Sequence, residues 1–154
     1  MMKKLSILAC GFAMLAMASC GKKSDNPFFA EWDTPYGIPP FEQIKPEHYL
    51  PAFEEGMKQQ MEAIDAIVNN EEEPTFENTI VAYEYSGELL NKVSGVFFNI
   101  SGVESDDEMR AIEEEIIPKL SAHGDNIALN AKLFARIKSV YDNRENLDLS
   151  PEQA

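Results

Sequence analysis

The sequence predicts an all-α fold: an antiparallel helical bundle or a pair of helical hairpins, with about four helices, preceded by a proline-rich strap. Two observations lead to this prediction. Apolar residues recur at intervals of three and four along most of the chain, and no segment shows the strict alternation typical of a strand. The 154 residues are enough for one domain with a substantial core.

The strap covers residues 33–45, where prolines disfavour both helix and strand. Pro35, Pro39 and Pro40 each fix φ and lack a backbone donor, and each moves the preceding residue away from the helical region. Pro46 and Pro51 follow at positions where proline is tolerated, in the first turn of a helix. We therefore expect an ordered loop that leads directly into a helix.

The first helix is predicted over residues 50–69 and the second over residues 76–101, with Thr75 as the N-cap of the second. Lys92 is the only charged residue between positions 89 and 103, so the second helix should have neighbours on more than one side. The buried face of the first helix comprises Leu50, Phe53, Met57, Met61, Ile64 and Ile67. Three glycines of the second helix should allow close packing against another backbone: Gly87, Gly95 and Gly102.

Ser105 and Glu108 form a capping box that predicts the start of a third helix. We expect a kink at Pro118 and the end of this helix at Gly124. Asn130 then caps a fourth helix. The predicted inner face of the third helix comprises Met109, Ile112, Ile116 and Leu120. That of the fourth comprises Leu133, Phe134, Ile137, Val140 and Tyr141.

The first nineteen residues have the pattern of a bacterial lipoprotein signal peptide. Lys3 and Lys4 precede a short apolar stretch, and small residues lead to Cys20. Cleavage before Cys20 would leave a lipidated cysteine, a tether over residues 20–31 and a protein anchored in the bacterial cell envelope, as a periplasmic or outer-membrane lipoprotein. The alternative is an ordinary secretory signal that is cleaved nearby. In either case residues 32–154 form the folded region.

Charge and side-chain inventory exclude several classes of function. The formal net charge of −14 argues against nucleic acid as a partner, because no basic patch could neutralise phosphates. A catalytic zinc commonly needs two histidines one helical turn apart, whereas His48 and His123 are far apart and no His-Glu-x-x-His is present. We expect His48 near a helix start and His123 at a helix end beside Gly124. No catalytic or metal-binding residue is predicted, and Cys20 is the predicted site of lipid attachment.

Three sequence motifs resemble one peptidase family. Residues 39–56 read PPFEQIKPEHYLPAFEEG, residues 74–79 read PTFENT and residues 121–125 read SAHGD. Their order and spacing resemble the N-terminal region of bacterial peptidyl-dipeptidases and oligopeptidase A-like enzymes, zinc metallopeptidases of the thimet oligopeptidase family. The resemblance extends over nearly all of the chain after residue 26.

The resemblance implies that residues 32–154 are the N-terminal helical region of such an enzyme, truncated before its catalytic domain. In that family two largely helical halves enclose a channel, and a downstream His-Glu-x-x-His helix holds the zinc that cleaves short peptides. The implied partners are short peptides, the missing catalytic region and, through the lipid, a membrane. The chain by itself is therefore expected to be inactive and to bind no zinc.

A second hypothesis is a small stand-alone lipoprotein, a binding or interaction module that uses residues 89–103 as its partner surface. The end of the sequence favours the first hypothesis. Ser150, Pro151 and Gln153 have the pattern of a capping box that begins a further helix, and the sequence stops one residue later.

Overall fold

A computed structural model describes residues 25–103, 106–151 and 153, and within these ranges the protein is all-α with no strand, as predicted. The α-helices are α1 (Tyr49–Val68), α2 (Ala82–Ser86), α3 (Glu88–Ser101), α4 (Asp107–Ala128) and α5 (Ala131–Asp142). A π-helical segment, Phe76–Val81, precedes α2. Short 3₁₀ helices occupy Pro27–Phe29, Pro35–Gly37, Pro46–His48 and Arg144–Asn146. In these described ranges no helix combines the length and the apolar character that crossing a membrane requires.

The first helix, α1, is the centre of the fold, because it contacts each of the other α-helices. The first of two apolar clusters lies along its N-terminal half, where α1, α3, α4 and the start of the strap meet. It comprises Phe28, Tyr49, Ala52, Phe53, Leu90, Val93, Val96, Phe97, Met109, Ile112 and Ile116. The second cluster lies at its C-terminal end and comprises Ile64, Ile67, Ile127 and Leu133. The predicted stripe of α1 is therefore the buried face, with Tyr49, Ala52 and Gly56 added to it.

The predicted second helix is interrupted. Thr75 is its N-cap as predicted, since its hydroxyl accepts the amide of Asn78 at 3.0 Å and the Asn78 side chain accepts the amide of Thr75 at 2.8 Å. The prediction of a continuous helix is wrong, because Gly87 separates α2 from α3. A side chain at Gly87 would meet the side-chain amide nitrogen of Gln60 at 2.7 Å, so Gln60 would have to move to admit one.

Close backbone packing occurs at a different glycine from those predicted. Gly56 in α1 is buried, and a Cβ atom there would lie 3.0 Å from the Cα and N atoms of Leu90. At Gly95, by contrast, a Cβ atom would meet nothing within 4 Å, and at Gly102 its nearest neighbour is the carbonyl of Phe98 in the preceding turn. The prediction for Gly95 and Gly102 is therefore wrong as regards contacts within this chain.

The third predicted helix, α4, starts and ends at other residues than the pattern indicated. Asp106 is its N-cap and accepts the amide of Met109 at 2.8 Å, whereas Ser105 lies outside the described residues. The helix continues through Pro118 and past Gly124 to Ala128, so the predicted stop at Gly124 is wrong. Burial of Ile127 in the second apolar cluster favours this extension, because it offsets the cost of about 1 kcal/mol for a glycine inside a helix.

The last helix, α5, confirms Asn130 as N-cap, because its side chain accepts the amides of Lys132 and Leu133 at 3.1 Å. Leu133 and Val140 are buried as predicted. Phe134 and Tyr141 were predicted to face inward, but they are 65% and 60% exposed. Each follows a buried residue by one position, which rotates it by about 100° around the helix and out of the core.

The strap is ordered and includes residues that were assigned to the tether. Phe28 is buried against Tyr49, with ring centroids 5.5 Å apart, and the side chain of Asn26 donates to the carbonyl of His48 at 2.8 Å. Residues 26 and 28, which were assigned to the tether, thus already pack against the helical region. The predicted signal peptide, residues 1–19, and Cys20 lie outside the described residues.

The contact between Gly56 and Leu90 gives the first prediction. Gly56→Ala should lower the free energy of unfolding by about 1–3 kcal/mol, because the new methyl group forces α1 and α3 apart. Gly124→Ala is the matched control inside α4, where a Cβ atom meets nothing within 4 Å, and it should stabilise the protein by up to about 1 kcal/mol. Urea unfolding measures both variants. An unchanged or higher stability for Gly56→Ala would contradict the packing described here.

Candidate functional site

The two histidines, the residues with most potential for metal or acid–base chemistry, lie in different parts of the fold. His48 ends the 3₁₀ helix before α1, and its Nδ1 atom accepts the amide of Lys45 at 3.0 Å. This confirms its predicted place near a helix start. The Nδ1 lone pair is used by that backbone amide, so His48 organises the entry of the chain into α1.

His123 is a buried residue of α4 and not a residue at a helix end, so that prediction is wrong. Its side chain is 9% exposed, and its Nε2 atom lies 2.7 Å from Oε1 of Gln60 on α1. The amide of Gln60 donates to the hydroxyl of Ser86 at 3.4 Å, and this hydroxyl donates to the carbonyl of Tyr83 at 2.7 Å. Because Gln60 Oε1 can only accept, the Nε2 atom of His123 carries the proton.

This hydrogen-bonded chain joins α4, α1 and the end of α2 beside the interruption at Gly87. Burial lowers the pKa of His123, which favours the neutral imidazole. One sequence signal could have located this residue: His123 follows Ile116 and Leu120 and precedes Ile127 at steps of three and four, so it stands on the buried stripe. These hydrogen bonds fix the positions of α4, α1 and α2 relative to one another.

A zinc ion does not fit the side chains that the structure describes. In residues 25–103, 106–151 and 153, no three or more His, Cys, Asp or Glu side chains lie together as a metal site would require. His48 and His123 each use a ring nitrogen for a hydrogen bond within the fold.

Arg136 on α5 fixes the loop between α1 and the π-helical segment. One guanidinium nitrogen donates to the carbonyls of Asn70 and Glu72 at 2.9 and 3.2 Å, and the other donates to the side chain of Asn78 at 3.2 Å. The Nε atom of Arg136 is buried and has no hydrogen-bond partner. These hydrogen bonds fix the loop with the acidic run 71–73 to α5 and leave the three acidic side chains at the surface.

A groove of about 760 Å³ lies between the 3₁₀ helix Pro27–Phe29, α1 and α3. Its charged lining consists of Glu31, Glu54, Glu55, Lys58, Glu88 and Lys92. Burial lowers the pKa of Lys92, an effect that Glu88 and Glu31 oppose, while hydrogen bonding from Gln59 lowers the pKa of Glu55. The lining contains no His, Cys or Ser, so the groove offers mainly negative charge, without a serine or cysteine nucleophile and without an imidazole base.

Comparisons with known proteins identify the relatives of this chain. It is 43% identical over 127 residues to the dipeptidyl carboxypeptidase of Escherichia coli K12, a match that covers 82% of this chain and 19% of that protein. It is 41% identical over 129 residues to the dipeptidyl carboxypeptidase of Salmonella typhimurium, covering 84% and 19% of the two chains. It is 23% identical over 120 residues to the oligopeptidase A of E. coli, covering 78% and 18%. The chain thus spans about a fifth of the length of these curated relatives. No protein-family model matches it.

The burial of His123 predicts a pH dependence of stability. Its pKa in the folded protein is below the ordinary value of 6.5, so the folded and unfolded states are both neutral above that pH. As the pH falls below 6.5, the unfolded state takes up a proton first and the free energy of unfolding should decrease. Urea unfolding of the wild type and of His123→Gln between about pH 7.5 and 5 measures this. The variant should lose less stability than the wild type over that range, and equal losses would contradict the assignment.

Proposed function

The chain is homologous to dipeptidyl carboxypeptidase and oligopeptidase A, peptidases of the thimet oligopeptidase family, and we propose that it is the N-terminal helical scaffold of a zinc-dependent oligopeptidase or peptidyl-dipeptidase. The observation that carries this proposal is the 43% identity over 82% of the chain. The proposed substrates of the whole enzyme are short peptides.

The zinc belongs, in this proposal, to residues outside this chain. The described side chains do not fit a zinc ion, and the relatives are about five times longer than the matched region, which is 19% of their length. The chain contributes a rigid helical wall in this scheme. Such a wall narrows the access to a catalytic channel, so that extended peptides enter and folded proteins do not.

The packing of the helices supports a scaffold role. Phe97 is fully buried and meets the rings of Tyr49 and Phe53 edge-on at centroid distances of 5.0 and 5.4 Å. Such edge-to-face contacts add to the stabilisation from burial alone and restrict ring orientation. A wall built from α1, α3 and α4 therefore keeps its shape when a peptide passes along it.

The alternative function, a stand-alone lipoprotein that binds a partner through residues 89–103, receives less support. Four apolar residues of that segment are turned into the chain's own core: Leu90, Val93, Val96 and Phe97 are all buried. Phe98 remains 39% exposed, and it packs partly against Phe53 and Phe97. Of the large apolar residues in this segment, only Phe98 and Val103 are exposed, so the segment offers a partner little apolar surface of its own.

We further propose that the protein is anchored in the bacterial cell envelope through lipid on Cys20. Support comes from the sequence alone, with two lysines, an apolar stretch and small residues before the cysteine. Asn26, six positions after Cys20 in the sequence, is hydrogen-bonded to His48, so the proposed lipid would lie close along the chain to the helical region. The whole enzyme would then work close to a membrane surface.

The anchoring proposal predicts that Cys20→Ala abolishes the attachment of fatty acid. Metabolic labelling with a clickable fatty acid in a bacterial host, followed by gel fluorescence, measures this. Cys10→Ala is the matched control, because Cys10 lies within the predicted signal peptide and its loss should leave the label in place. Equal labelling of wild type and Cys20→Ala would refute the anchor.

The scaffold proposal predicts that the chain alone does not hydrolyse a quenched fluorescent oligopeptide in the presence of zinc. A chimera, in which the matched region of this chain replaces the corresponding region of the E. coli dipeptidyl carboxypeptidase, should bind zinc and cleave the same peptide in a chelator-sensitive way. Zinc-dependent hydrolysis by the chain alone would contradict the scaffold proposal and make His48 and His123 candidate zinc ligands. A folded, zinc-loaded chimera without turnover would contradict the scaffold role.

A further inference from the structure

A rigid turn in the strap holds apolar side chains out in the solvent. The hydroxyl of Thr34 donates to the carbonyl of Ile38 at 2.5 Å, and the amide of Gly37 donates to the carbonyl of Thr34 at 3.0 Å. Tyr36 has φ of 62°, in the left-handed region that is unfavourable for a tyrosine, and its side chain is fully exposed. The fold therefore keeps a strained residue in one conformation with its ring unburied, which is typical of residues held ready for contact.

Beside this turn, a groove of about 440 Å³ separates the strap from α3. Trp32, Pro39 and Phe41 of the strap form one wall, and Phe41 is half exposed. The floor on α3 is formed by Asn91, Lys92, Gly95, Val96 and Asn99. The turn ends at Ile38 and the groove begins at the next residue, Pro39. Turn and groove together are here called the strap surface: residues 34–41 and the floor on α3.

No contact among the described residues requires a glycine at position 95, on the groove floor. It lies inside α3, where glycine is less favourable than alanine, and a Cβ atom there would meet nothing within 4 Å. At Gly56, by contrast, the backbone of Leu90 explains the glycine. A backbone that approaches α3 from outside the described residues would explain Gly95 in the same way. Asn91 and Asn99 lie one turn to either side. The amide nitrogen of Asn99 donates to the carbonyl of Gly95 at 2.6 Å, which leaves its side-chain oxygen, and the amide of Asn91, for such a backbone.

The strap surface differs in charge from the rest of the chain. Residues 34–41 contain no Asp, Glu, Lys or Arg, in a chain that is 26% charged. The one charged residue on the groove floor, Lys92, donates to the carbonyls of Ala30 and Phe28 and lies 4.1 Å above the Trp32 ring, so the strap already engages its charge. An uncharged surface with an exposed tyrosine at its edge has the composition of the centre of a protein interface.

We propose that the strap surface binds an uncharged, extended segment of the remainder of the peptidase, with the backbone of that segment lying against Gly95. This inference rests on the proposed function, since the matched region is 19% of the length of the relatives and the other four fifths must be packed somewhere. A second copy of the chain is a poorer occupant, because two molecules that each carry a net charge of −14 repel one another.

The test compares the isolated chain with the chimera described above. Gly95→Leu should keep or raise the melting temperature of the isolated chain, because the site is open and leucine favours the helix. The same change should lower the melting temperature of the chimera by several degrees, because the side chain meets the bound segment. Gly95→Ala gives a milder form of the same change if the leucine variant of the chimera does not fold.

Two further measurements complete the test. Amide hydrogen exchange of residues 34–41 should be at least about tenfold slower in the chimera than in the isolated chain. Tyr36→Gly relieves the left-handed strain, so it should stabilise the isolated chain and destabilise the chimera. Tyr85→Gly is the control, because Tyr85 is 70% exposed on α2, away from the strap surface, and its replacement should lower stability alike in both proteins.

The outcomes separate the two proposals. A chimera that cleaves peptide while residues 34–41 exchange as fast as in the isolated chain overturns the strap-surface inference and leaves the scaffold function standing. A zinc-loaded chimera that protects residues 34–41 but does not cleave contradicts the scaffold function and supports the strap surface. The inference is overturned if Gly95→Leu shifts the melting temperatures of both proteins in the same direction. It is also overturned if the isolated chain forms a dimer that Tyr36→Gly dissociates.

Discussion

The approach of α1 to α3 at Gly56 is the constraint on which the rest of the packing depends. Because no side chain separates Gly56 from the backbone of Leu90, the two helices lie close enough for Phe53 and Tyr49 to enclose Phe97. One turn further along α1, Gln60 occupies the space beside Gly87 and reaches His123 on α4. One close contact thus sets the spacing of α3 and, through Gln60, the position of α4.

Helix existence and the main buried faces follow from the sequence, whereas helix ends depend on tertiary contacts. Thr75 and Asn130 are N-caps because their side chains satisfy amides within the same turn, which is a local property. Gly87 and Gly124 are the same residue in similar helical patterns, yet one interrupts a helix and the other does not. The difference lies outside the local sequence: Gln60 crowds Gly87, while Ile127 continues the buried face beyond Gly124.

The motif that identified the relatives consists of structural residues. Residues 39–56 contain the end of the strap, the 3₁₀ helix Pro46–His48 and the first turns of α1. His48 binds the amide of Lys45 through its ring and the side chain of Asn26 through its carbonyl, so it joins strap to helix. The contacts that the structure gives these residues are structural ones, within the strap and between the strap and α1. For this reason the candidate site could be predicted from the sequence only as a scaffold.

The bond between Asn26 and His48 has a mechanical consequence. Residues 27–47 form a closed loop between these two points, so a pull applied to the chain before residue 26 does not unroll the strap. The load passes across the hydrogen bond to His48, the residue immediately before α1. Lys92 holds the loop from the side through the carbonyls of Phe28 and Ala30. Tension at the N-terminus therefore enters the molecule at its central helix, the element with the most neighbours to resist it.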